Sequence, residues 1–146
     1  MSRRKARQIG IEHQRDIMGL RLILKSLECI ADHIEAIAQK LIKINAPHEA
    51  EIVAHVSRYV LELYDITSKS TLQFNAVRAE EIFKKLPAVR EEISISEKHL
   101  QKSMHTPETV ITLHLCLESY YWITRHCSDI AEIVINMHAE VPERHV

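Results

Sequence analysis

Apolar residues return along the chain at alternating intervals of four and three. Leu20, Leu24, Leu27, Ala31, Ile34, Ala38 and Leu41 form one helical stripe held over three heptads. Ile23, Ile30, Ile37 and Ile42 widen it. The pattern predicts a first helix over about 12–44, ended by the NAPHE stretch at 45–49. Val53, Val56, Val60, Leu63 and Thr67 mark a second helix over about 49–70. A third begins near Phe74 or Asn75, carries Val77, Ile82, Phe83 and Leu86, and then meets Pro87, which predicts a kink or a restart. Its second part, with Val89, Ile93, Ile95 and Leu100, reaches about Lys102. HTPET at 105–109 is a start signal, with Thr106 as N-cap and Pro107 at the first helical position. The fourth helix runs from there to about Ala139, with Pro142 beyond its end. No segment alternates with the period of a strand. Four long helices with short connections predict an all-α, up-down-up-down bundle, a single domain over 1–146.

Composition agrees with long elements, since two glycines and four prolines leave few turns. A formal net charge of −1 excludes a global field that would draw the chain to nucleic acid or to a membrane surface. The basic cluster SRRKAR at 2–7 reads as part of a flexible, solvated arm over 1–11. Cys29, Cys116 and Cys127 form no CxxC pair and sit in apolar helical stretches, which predicts reduced thiols in a cytoplasmic protein. No apolar run approaches the ~18 residues of a membrane span, and no signal peptide is visible, so no membrane insertion is expected.

Candidate chemistry centres on LECIADHIEAIAQ at 27–39. Glu28 and Asp32 lie four apart and point the same way, beside a run that reads as core. Two carboxylates so spaced can share one hard or borderline cation. His33 follows at once but is rotated by about 100° and should face elsewhere. An internal repeat supplies a competing partner. With an offset of 93 residues (Leu20 to Leu113), nine positions of 20–45 and 113–138 are identical, among them Ser26/Ser119, Ile30/Ile123, His33/His126 and Ile37/Ile130. The first and fourth helices are then pseudo-equivalent neighbours around a twofold, with Ile30 and Ile123 both buried. Glu28 corresponds to Tyr121 and Asp32 to Arg125. If the helices face each other, Arg125 can pair with either acid. Three readings stand: a metal site, a salt-bridge network with Arg125, and solvated acids at the stripe's edge.

Other patterns carry less. The ten histidines include no HxxxH and no ExxH, and the densest group, HEAEIVAH at 48–55, sets His48 and His55 two turns apart. Most therefore read as surface residues. There is no GxSxG, no CxxC and no glycine loop to cradle phosphate, which argues against an enzyme. Cys127 reads as core, and Tyr120, Tyr121 and Trp122 as core packing or a dimer contact. The wide apolar surface of the first helix predicts self-association, most simply a homodimer.

SLECIADHIEAIAQ at 26–39 resembles the signature helix of the PhoU family of phosphate-uptake regulators, which reads roughly LERIADHAENIAE. SYYWITRHCSDIAEIVIN at 119–136 resembles the closing helix of that family's archaeal branch, down to SDIAEIVIN at 128–136. The likeness covers about 50 residues in two blocks, closest to the C-terminal part of archaeal AbrB/PhoU-type regulators, and no AbrB-like DNA-binding module is visible. Such a chain could stand alone or be the C-terminal portion of a longer protein. The resemblance implies a cytoplasmic regulator of phosphate uptake or signalling that contacts a phosphate transporter or sensor kinase and does not bind nucleic acid through this domain alone. Family members carry an acidic E/DxxxD motif in each of two three-helix halves, and some hold iron or zinc there. By that resemblance Glu28 and Asp32 are the metal ligands, and Tyr121 and Arg125 make a second, symmetric cluster unexpected. The alternatives are a metal-dependent enzyme in a bundle, which the missing ExxH disfavours, and a purely structural oligomerisation domain.

Overall fold

The computed structural model describes residues 14–44, 47–102 and 106–139. It is all-α: α1 Gln14–Lys43, α2 Pro47–Leu72, α3 Ala76–Gln101 and α4 Pro107–His138, packed as an up-down bundle. The expected arm over 1–11, the start of the first helix at 12–13 and Pro142 lie outside the described residues.

The helix ends follow local chemistry. Thr106 caps α4, its side chain accepting from the Thr109 N–H, with Pro107 in the first turn. Pro47 likewise opens α2, two residues before the expected start. Between α2 and α3 the chain reverses at Phe74, whose φ of 45° is left-handed. The Asn75 N–H reaches the Ser70 carbonyl at 2.9 Å and the Phe74 N–H reaches Thr71 at 3.2 Å, the bonding of a Schellman motif. Asn75 then caps α3 by accepting from the Arg78 N–H at 3.0 Å.

Two expectations need correction. Helix α3 runs through Pro87 without a restart. Pro87 is on the exposed face, so the bond missing to the Phe83 carbonyl is lost on the side where water can replace it. The second concerns α1. The residues expected only to widen its stripe, Ile23, Ile30 and Ile37, are the buried seam, whereas Leu24 and Ile34 of the main stripe are 65% and 51% exposed. Ile42, expected to widen the stripe, is exposed too.

Topology explains that inversion. Helix α4 packs against all three others, and α2 and α3 pack against each other, whereas α1 leans almost wholly on α4. The core therefore lies among α2, α3 and α4, where Val56, Leu63, Ile82, Leu117, Cys127 and Ile130 are buried. One helical neighbour can cover only one flank of α1.

Candidate functional site

The two helices that share the repeat lie antiparallel. At one end Gly19 of α1 faces Ile133 and Met137 of α4. At the other, Lys40 and Lys43 line a space with Glu108 and Thr112. In the middle the His33 and His126 rings stand 6.0 Å apart. These two histidines are repeat equivalents, so the approximate twofold relating α1 and α4 runs between them. Ile30 and Ile123 are both buried in this seam, as are Ser26 and Ser119. Burial, then the neighbouring His126, lowers the pKa of His33 from its ordinary value, against weaker opposing pulls from Asp32 and Glu118.

The acids sit on the outer side of α1, as the rotation between Asp32 and His33 requires. Both Glu28 and Asp32 are exposed. Glu28 Oε2 accepts from Lys25 Nζ at 3.0 Å, one turn back on the same helix. Arg125 turns along its own helix, its Nε 3.6 Å from Asp129 Oδ1, and it is in ion-pair contact with neither Glu28 nor Asp32. The interhelical pairing with Arg125 is thus not formed. The repeat places Arg125 opposite Asp32 in sequence register, but both residues occupy the outward edges of their helices, away from the seam. Among the described residues no group of three His, Cys, Asp or Glu side chains could hold a metal ion. Glu28 and Asp32 would supply only two protein side chains to an iron or zinc ion, leaving the rest of its shell to water or to another molecule.

On α4 the corresponding edge is occupied. Tyr121, the equivalent of Glu28, lies beneath the guanidinium of Arg90 from α3, 5.4 Å from ring centroid to Cζ. Trp122 meets Tyr121 edge-on at 6.1 Å, and both are partly exposed. Tyr120 is buried. The aromatic trio thus splits, one ring in the core and two at the rim. His55, half of the dense histidine group, pairs with Glu92 across α2 and α3 at 3.2 Å and meets the Tyr59 ring edge-on. The Arg90 contact had no signal in the sequence, because it depends on the register between α3 and α4.

The twofold also exposes an asymmetry of the seam's two ends. Gly19 corresponds to Thr112, Met137 to Ile44, and Ile133 to Lys40. The glycine end is closed: a Cβ there would lie 2.7 Å from the Met137 sulfur. The threonine end keeps a cavity of about 410 Å³, lined by Lys40, Lys43, Ile44, Thr109 and Thr112 among others. Its polar groups are largely engaged. The Thr112 hydroxyl donates to the Glu108 carbonyl at 2.8 Å, and Lys40 Nζ to the Ala36 carbonyl at 3.4 Å.

No protein-family model matches the chain, and no curated protein and no solved structure is significantly similar to it. No helix among the described residues is long and apolar enough to cross a membrane.

Proposed function

We propose that this chain is a PhoU-like regulatory bundle that acts through protein contacts in phosphate uptake or phosphate signalling, with a phosphate transporter or sensor kinase as partner. Support comes from the placement of the two resembling blocks. SLECIADHIEAIAQ lies on α1 and SDIAEIVIN on α4, and these two helices are packed neighbours. The outer face of α1 offers what a protein contact needs, an apolar stripe of whole-helix length edged by charge. A metal enters this reading in a subordinate role. With two exposed carboxylates, the chain alone holds iron or zinc weakly, so desalted protein should retain less than one ion per chain.

The reading is tested by deleting the gene and following phosphate uptake in phosphate-replete cells. Loss of the regulator should leave uptake high when phosphate is abundant, and restoring the chain should bring it down. Uptake that responds to phosphate normally without the chain would overturn the proposal.

A further inference from the structure

We propose that a second copy of this chain covers the exposed stripe of α1, running antiparallel to it about a twofold axis near Cys29. The inference does not rest on the phosphate reading, and it assigns to a second copy the face of α1 that a transporter or kinase would otherwise compete for. Leu24, Leu27, Ala31, Ile34 and Ala38 keep the three-four spacing of a coiled-coil seam. Their repeat equivalents on α4, Leu117, Tyr120, Thr124, Cys127 and Ala131, are all buried beneath α2 and α3. On α1, among the described residues, no second helix packs closely over the same pattern; Leu27 is half-buried against the core, and Leu24, Ala31, Ile34 and Ala38 are exposed.

What identifies the occupant is charge order along the stripe's open edge. Arg21 and Lys25 come first, and Glu28, Asp32 and Glu35 follow, all exposed. A parallel copy would set this charged edge beside the partner copy's isoleucine edge, which α4 already covers. An antiparallel copy sets Arg21 against the partner copy's glutamate 35 and Lys25 against its aspartate 32, twice over by symmetry. In the same register Leu27 meets a second Ala31, Leu20 a second Ala38, and Leu24 a second Ile34. Large side chains then oppose small ones in most layers. Only the two copies of Glu28 meet as like charges, beside the axis, and each is already held by its own Lys25. An unrelated helix would need this charge order by coincidence, whereas a second copy carries it by identity.

Sedimentation of the full chain across a concentration series tests the proposal. The wild type should form a dimer. Leu24→Asp and Ile34→Asp should each leave a monomer with undiminished helical circular dichroism, since both positions are exposed in the single chain. Arg21→Glu and Glu35→Arg should each raise the dimer dissociation constant about tenfold at low salt. The two changes together should restore it, because they exchange the partners without changing the pairing. A wild type that stays monomeric to about 1 mM overturns the proposal and leaves the stripe to a different polypeptide. So does a dimer indifferent to both aspartate variants, or a double variant no tighter than the singles.

Discussion

Helices α1 and α4 carry nearly the same sequence pattern and live in different surroundings. Where they face each other they behave alike: Ser26 and Ser119, Ile30 and Ile123, Ile37 and Ile130 are buried in pairs. A third of a turn away they part. Leu117 is fully buried and its equivalent Leu24 is 65% exposed, while Ala131 is buried and Ala38 exposed. The difference lies in what covers each helix rather than in its own periodicity. A heptad stripe states that a helix wants a neighbour; which neighbour, and whether the same chain provides it, is set by topology.

The comparison is sharpest at the equivalent leucines. Leu117→Ala should destabilise the monomer by about 2–5 kcal/mol, and Leu24→Ala by less than about 1, since the first leaves a cavity and the second does not. Urea unfolding at low protein concentration measures both, and equal losses would erase the distinction between the two faces. Thiol reactivity separates the helices next. Burial raises the Cys127 thiol from an ordinary 9.0 to about 11, with Thr67 opposing weakly. That leaves about a hundredfold less thiolate at a given pH. Burial also raises Cys116. Half-buried Cys29 on α1 should therefore be modified by a disulfide reagent long before either, and a first label on α4 would mean that α4 is not enclosed.

The two ends of the seam give a smaller contrast. Gly19→Val should cost about 1–3 kcal/mol, because Met137 and Ile133 already occupy the space. Thr112→Val at the equivalent position borders the cavity, where a methyl finds room, and should cost less than about 1 kcal/mol. Reversal of that order in thermal melts would contradict the close approach at Gly19. The smallest effect concerns His33, where the helices are most alike. Its folded pKa is depressed, so its contribution to stability is present above the unfolded value of about 6.5 and is lost as pH falls through the folded value. Stability should decline on acidification through that window. His33→Gln should flatten the decline, with Asp32, Glu118, Lys40 and His126 unchanged around it.

Much of the fold was readable from local signals. Thr106 and Pro107 announced the start of α4 to the residue, and the turn between α2 and α3 fell where Asn75 caps. These features depend on a few adjacent residues. Pro87 misled because a proline disrupts a helix according to which side faces water, and that side was not visible without the bundle. On α1 the periodicity is legible but the buried flank is not, because Ile23, Ile30 and Ile37 fit a seam as well as the leucine stripe does. Glu28 and Asp32 stand out in the sequence as carboxylates four apart, and the geometry puts them outward at the edge of the open stripe. The pairing with Arg125 rests on repeat register alone, and register along the chain does not say on which side of a helix pair a side chain emerges.

The convergence of three helices on α4 also dictates an order of assembly. The α2–α3 hairpin can close by local contacts, but neither it nor α1 has its principal packing partner until 107–138 have been synthesised. The 93 residues between Leu20 and Leu113 correspond to roughly 5–19 s of translation, at about 5–20 residues per second, during which the isoleucine seam of α1 has nothing to rest on. Closing a loop over that separation costs more entropy than closing the α2–α3 hairpin, so α4 acts as the keystone of a nascent chain that holds unpaired apolar helices until it arrives.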